Sequence, residues 1–268
     1  MAPRRSPHIN VMIETAEKAG RALIRDFGEV EQLQVSKKGP GDFVSTADHK
    51  SEKILREELL KARPAYGFLL EEGGEIKGED KSYRWIIDPL DGTTNFLHGL
   101  PHWCISIALE KDKEIVAAVI HDPIKNEVFS AEKGGGAFSN AKRLRVAGRK
   151  SLEDALVSID GSFADDSIAL PPGCGIRRMG SACLNLAYIA AGRFDAYLEP
   201  RLFPWDKAAG SLLVREAGGY VSETDGGRNF VYGRGIVAAN PLLHSELIKK
   251  LNSADKKGTV AKNLRGIT

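Results

Sequence analysis

Cysteine is scarce in this chain: Cys104, Cys174 and Cys183 are the three in 268 residues. They are odd in number and lack metal-ligand spacing, so buried, idle thiols are expected. Long apolar runs are missing too, none approaching the roughly 18 residues of a membrane span. The start, M-A-P-R-R-S-P-H-I-N, carries basic residues with no apolar stretch behind them, and so does not read as a secretory signal. A net charge of only +2 gives no reason to expect nucleic acid or a membrane surface as the main partner. No internal repeat and no low-complexity segment stands out. What remains is an ordinary soluble composition, 42% hydrophobic and 28% charged, in a chain long enough for a large core. A cytoplasmic enzyme or binding protein fits.

The stretch around which the rest is organised is W-I-I-D-P-L-D-G-T-T-N, Trp85 to Asn95. Trp85, Ile86 and Ile87 form a short apolar run that reads as a buried strand. The strand is expected to end at Asp88, because Pro89 cannot donate to a central ladder. Asp91 comes next among the acids, and Gly92-Thr93-Thr94-Asn95 supplies a turn able to open a helix. Two carboxylates at a strand end, beside free backbone N–H groups, suit Mg²⁺ and phosphate. The same letters also suit a tight loop with an Asx-turn.

Before this stretch, Ser6-Pro7 caps a helix with Ile9, Ile13, Ala16, Leu23 and Phe27 on one face and Gly28 as its stop. Lys37 to Asp42 reads as a polar turn without regular structure. A second helix comes after it, ended by Pro64, with Asp48 near its start. Taken alone, Asp48 is a first-turn acid that complements the helix dipole. Phe68 to Leu70 is a brief strand running into Glu71-Glu72-Gly73-Gly74, which is either a solvated turn or a carboxylate at a strand end. Glu75 to Arg84 reads as an exposed loop.

Beyond Asn95, Cys104 to Glu110, Ile115 to His121 and Glu127 to Ala131 form an antiparallel meander. Residues 1–145 are therefore expected as two helices on a largely antiparallel sheet, and residues 146–268 as a half that alternates helix and strand. Ala164 to Gly173 is irregular, and the tail from Ser253 is expected to fray.

Four elements together resemble the inositol monophosphatase family. They are the strand ending in Glu71, the Asp88 to Thr94 block, Gly180-Ser181-Ala182, and Trp205-Asp206 in W-D-K-A-A-G with E-A-G-G behind it. The similarity covers nearly the whole chain. It implies an α+β fold, a layered α-β-α-β-α sandwich, and a Mg²⁺-dependent, lithium-sensitive phosphomonoesterase acting on inositol 1-phosphate. It makes Glu71, Asp88, Asp91 and Asp206 metal-binding carboxylates, with the Leu90 carbonyl as a further ligand. Four carboxylates carry four negative charges that two Mg²⁺ ions cancel, so a phosphate dianion meets a neutral site; a third Mg²⁺ is expected to enter with substrate. Asp48 and Thr93 orient the attacking water and take its proton, with Glu71 among the catalytic residues. The resemblance further implies that Gly92, Thr93 and Thr94 hold phosphoryl oxygens, and makes Gly180, Ser181, Ala182, Glu199 and Asp206 candidates for contact with the polyol, although Gly180 to Ala182 also reads as a helix start and Glu199-Pro200 as a strand end.

Phe203-Pro204 before Trp205 departs from the animal enzymes, which carry a His and a Cys there, and makes one pocket wall more apolar. Fructose 1,6-bisphosphate, histidinol phosphate and nucleotide phosphates share the chemistry and stay open as substrates. The resemblance also implies a homodimer. Through bacterial relatives it further implies an accessory role in ribosomal RNA transcription, with RNA polymerase or its elongation factors as partner and Arg143, Arg145, Arg177 and Arg178 as candidate contacts.

Overall fold

Ser6 caps the first helix, α1 (Pro7–Phe27), by accepting the Ile9 N–H, and Pro7 at the first helical position loses no hydrogen bond. The structure, a computed structural model, describes residues 5–30, 35–39, 42–161 and 170–256. Ile9, Ile13, Ala16 and Leu23 bury one face of α1.

Next come β1 (Val35–Gly39) and β2 (Asp42–Ser45), which pair antiparallel. Within the stretch expected as a polar turn, Lys37 to Gly39 and Asp42 are thus strand, while residues 40–41 lie outside the described residues. A register shift between Lys37 and Gly39 lets polar residues next to glycine pair as a two-stranded ribbon. Then α2 (Thr46–Ala62) ends before Pro64.

The large sheet is built from β3 (Tyr66–Leu70), β4 (Gly74–Ile76), β5 (Asp80–Asp91), β6 (Cys104–Lys111), β7 (Glu114–Asp122), β8 (Glu127–Glu132), β9 (Gly136–Ser139) and β10 (Lys142–Arg143), with the short helix α3 (Thr93–Leu97) after β5. Among the described residues it has eight strands in the order β10-β9-β8-β7-β6-β5-β3-β4. Neighbours are antiparallel except β3 and β5, which run parallel.

Two sequence-based expectations fail in this sheet. Glu75 to Arg84 is not an exposed loop, since it contains part of β4 and the start of β5. Its charges pair across strands: Arg84 sits opposite Glu110 in the ladder and bonds it at 2.9 Å, and also reaches Glu75 at 3.1 Å. The buried strand also does not stop at Asp88. It runs through Pro89 to Asp91 because the ladder with β6 slips there. Asp88 faces Ser106 and Asp91 faces Cys104, so three steps on β5 oppose two on β6. Within such a bulge a residue without an N–H costs no ladder bond.

The second half supplies β11 (Leu156–Ile159), β12 (Gly175–Arg177), α4 (Ala182–Ala190), β13 (Ala196–Glu199), α5 (Pro204–Glu216), β14 (Tyr220–Ser222), β15 (Ile236–Ala239) and α6 (Pro241–Lys256). Its sheet runs β12-β11-β13-β15-β14, parallel among the first three strands and antiparallel beyond. Most of the irregular Ala164 to Gly173 stretch, residues 164–169, lies outside the described residues, as does the tail beyond Lys256. α6 continues past Ser253 to Lys256, into the stretch expected to fray.

The layers stack as α1 and α2, the large sheet, α4 and α5, the small sheet, then α6. The α-β-α-β-α sandwich is therefore present. One core lies between α1, α2 and the large sheet, around Leu23, Leu55, Trp85 and Trp103. A second, around Ile86, Phe129, Leu186 and Leu213, joins both sheets through α4 and α5. Gly210 lets these helices touch, since a Cβ there would stand 2.4 Å from the Leu186 Cβ. A third core seats α6 through Leu243 and Leu247.

Candidate active site

In a regular strand, residues three apart point to opposite faces. The extra residue in the β5 bulge restores the parity, so Asp88 and Asp91 emerge on one side. There they meet Asp206 from the first turn of α5, and carboxylate oxygens of the three lie within 4.8 Å of one another. Glu71 joins by register. Leu70 pairs with Ile87 in the parallel β3–β5 ladder, so the next residues along, Glu71 and Asp88, leave it at one level.

Electrostatics agree. Burial, then the charges of Glu71, Asp91 and Asp206, hold the Asp88 carboxyl well above its usual pKa. Burial and then Asp91 do the same to Asp206. Hard oxygen donors that repel one another when empty are the donor set a Mg²⁺-like cation takes. The residues present fit such an ion.

The Asx-turn expected of Asp88-Pro89-Leu90-Asp91 is present, and it does not take Asp88 out of the acidic cluster. Asp88 Oδ1 accepts the Leu90 N–H at 3.0 Å, an Asx-turn, while the carboxylate still faces the cluster. The Leu90 carbonyl accepts the Thr93 hydroxyl at 2.9 Å. That hydroxyl also lies 3.1 Å from Asp48 Oδ1. Asp48 is 1% exposed and completes a capping box, accepting the Ser45 N–H at 2.9 Å and the Ser45 hydroxyl at 2.5 Å. The helix-start role and the contact with Thr93 thus coexist on one side chain. Burial raises the Asp48 pKa, against the hydrogen bonds from Ser45.

Gly92 opens α3 with φ +92°, and a Cβ there would stand 2.9 Å from the His102 carbonyl, so only glycine fits both demands. The leading N–H groups, including those of Thr93 and the exposed Thr94, have no carbonyl within α3 to bind. Asn95 ties this turn to the second half, donating to the carbonyls of His102 and Met179 at 2.8 Å each.

Gly180, Ser181 and Ala182 sit at the start of α4, with Gly180 at φ +70° and Ser181 as N-cap. In the structure Ser181 and Ala182 face Asp91, while the Gly180 N–H binds Asp160 at 3.3 Å. The Ser181 hydroxyl donates to Asp91, the Ala182 N–H reaches it at 3.2 Å and the Cys183 N–H at 2.9 Å. Burial pushes the Asp91 pKa up in spite of these donors. Glu199 ends β13, half-buried, and accepts the Tyr197 hydroxyl; burial raises its carboxyl to about 8.

Several neighbours are not evident from the sequence. Ser51 donates to the Pro89 carbonyl at 2.8 Å, and Glu52 accepts the Glu72 N–H at 2.9 Å, holding the bulge and the Glu71 turn to α2. Asp48, Ser51 and Glu52 stand at i, i+3 and i+4, so helical spacing is the signal that could have found them. Lys207, fully buried after Asp206, donates to the Gly233 carbonyl at 2.5 Å. Burial lowers its pKa to about 8, against the charges of Asp206, Glu223 and Glu199. The thiols of Cys104 and Cys183, expected to be idle, both come to lie beside Asp91.

Known proteins resemble this chain in sequence and in fold. The family model described as "Inositol monophosphatase family" matches residues 4–256. An inositol-1-monophosphatase of Mesorhizobium japonicum is 52% identical over 91% of this chain and 96% of its own length. A Nus factor SuhB of Pseudomonas aeruginosa is 43% identical over 87% and 92%. The crystal structure of extragenic suppressor protein suhB from Bartonella henselae superposes with a TM-score of 0.86 at 49% identity, covering 92% of this chain and 98% of that one. With a matching model from end to end of the described fold, the chain belongs to the inositol monophosphatase family.

Proposed function

We propose that this member of a phosphatase family hydrolyses inositol 1-phosphate to inositol and phosphate with Mg²⁺ as cofactor. The observation that carries the reading is the Asp88, Asp91 and Asp206 cluster standing beside the Thr93–Asp48 pair, in a chain whose relatives include named inositol-1-monophosphatases. Glu71, Asp88, Asp91, Asp206 and the Leu90 carbonyl hold the cations. When bound, Mg²⁺ offsets the carboxylate charge and makes water more acidic.

With the Leu90 carbonyl turned to a cation, Thr93 would give its one hydroxyl proton to Asp48, which leaves its lone pairs to orient the attacking water. Asp48 is buried and disposed to take a proton. N–H groups from Gly92 to Thr94 receive the phosphoryl oxygens where negative charge builds. Ser181 and Ala182 hold Asp91, and Glu199 binds a hydroxyl of the polyol. Phosphate release from myo-inositol 1-phosphate, with and without Mg²⁺, with lithium added and beside Asp91→Asn, tests this. Metal-dependent, lithium-inhibited turnover that the variant lacks is expected. A hundredfold preference for fructose 1,6-bisphosphate, histidinol phosphate or a nucleotide phosphate would replace the substrate and keep the chemistry.

A second reading has its own support, since relatives 40–43% identical are named Nus factor SuhB. In it the protein also binds RNA polymerase or an elongation factor, using the exposed edge strand β12 with Ile176 and Arg177. Co-purification of polymerase that survives Asp91→Asn is the expected result; none with either protein removes this role. We also take the protein to be a cytoplasmic homodimer, which light scattering during size-exclusion chromatography checks.

A further inference from the structure

Cys104 and Cys183 are far apart in sequence and adjacent in the fold. Cys104 opens β6 opposite Asp91 in the bulged ladder, and Cys183 lies in the first turn of α4, where its N–H binds Asp91. Both thiols are 0% exposed. Cys104 Sγ, Cys183 Sγ and an Asp91 carboxylate oxygen all lie within 4.8 Å of one another. The Cys104 Sγ to Asp91 Oδ2 distance is 3.6 Å. A tetrahedral zinc ion holds sulfur and oxygen ligands about 3.5 Å apart, so this edge already has ligand spacing. Two more oxygens border the group: Ser181 Oγ, 4.0 Å from Cys104 Sγ, and the Asp206 carbonyl, 3.3 Å from Cys183 Sγ.

We propose that Cys104, Cys183 and Asp91 form a site for a thiophilic divalent cation of the Zn²⁺ type, sharing Asp91 with the acidic cluster of Asp88 and Asp206. Sulfur ligands select such an ion over Mg²⁺, and each thiol gives up its proton as the ion binds. Asp206, unlike Asp88 and Asp91, is partly exposed, so entry runs through the acidic cluster. Asp91 belongs to both groups of ligands as it stands, so an ion held by the thiols competes with the acidic cluster for one carboxylate. The site itself stands whatever ester the protein cleaves.

The test titrates the metal-stripped full chain with Cd²⁺ under excess Mg²⁺ and follows the ultraviolet charge-transfer band of cadmium thiolate. The band is expected to saturate at a single Cd²⁺ per chain. Binding should weaken at least about tenfold in Cys104→Ala and in Cys183→Ala, and stay unchanged in Cys174→Ala. An absent band, or unchanged affinity in either of the first two variants, overturns the assignment. Zinc K-edge absorption of the wild-type chain with one equivalent of Zn²⁺ decides the matter even if a variant fails to fold. Sulfur neighbours support the site, and a shell of nitrogen and oxygen alone refutes it. Neither readout uses turnover, so failure here leaves the phosphatase reading to its own test.

Discussion

The Asp91 carboxylate accepts the backbone N–H of Cys183 at 2.9 Å, across 92 residues of sequence. The bond joins the end of β5 in the large sheet to the first turn of α4. It places the acid at the positive end of a helix dipole, which steadies a carboxylate that burial alone would neutralise. The side chain proposed to hold metal is thus positioned by the half of the chain that does not contain it.

Asp91→Asn keeps the size of the side chain and the acceptor for Cys183 while removing the charge. Turnover at saturating Mg²⁺ should fall at least about a hundredfold, with an unchanged circular dichroism spectrum. Retention of more than a few per cent of activity would show that Asp91 is not a metal ligand.

Metal should stabilise the fold, because burial, and after it the neighbouring acids, raise the pKa values of Asp88 and Asp206 when no cation is present. At a hundred times its dissociation constant a ligand adds about 2.7 kcal/mol. Melting in EDTA and in millimolar Mg²⁺ checks this, and Asp206→Asn should shrink the difference. Identical melting temperatures for the wild type would sink it.

Glu199 gives the metal-free protein a defined pH dependence. Its folded pKa of about 8 lies above the 4.5 of a free glutamate, so the folded state holds a proton that the unfolded state has released. That contribution to stability is complete below pH 4.5 and is lost as pH rises through about 8. Urea unfolding in EDTA across this window should show the slope, and Glu199→Gln should flatten it.

Thr93→Ala removes the hydroxyl that lies 3.1 Å from Asp48. We expect kcat to drop by roughly 10²–10⁴ with KM little changed, Thr93→Ser to recover much of it, and Asp48→Asn to add little to Thr93→Ala. Additive losses would show that the two side chains do not act as a unit.

Gly92→Ala tests the turn. At φ +92°, with the His102 carbonyl 2.9 Å from the new Cβ, the substitution should cost about 1–3 kcal/mol. Denaturant midpoints report it, and an unchanged midpoint would mean that the 92–103 turn rearranges freely.

Sequence alone determined what local pattern controls: the capped first helix, the meander, the late helix opening at Trp205-Asp206 and the acids at strand and helix ends. Each depends on spacing within a few residues, and hydrophobic period and cap chemistry act at that range. Only the tertiary structure decided what depends on a partner. Pro89 reads as a strand end until β6 slips by one residue and makes its missing N–H harmless. Glu75 to Arg84 reads as a loop until Arg84 finds Glu110 across the ladder. Cys104 and Cys183 show no ligand spacing along the chain, yet a bulge on β5 and the start of α4 set both thiols against one carboxylate. Distance along a chain says nothing of such meetings, because the packing of layers, and not the order of residues, brings the atoms into reach.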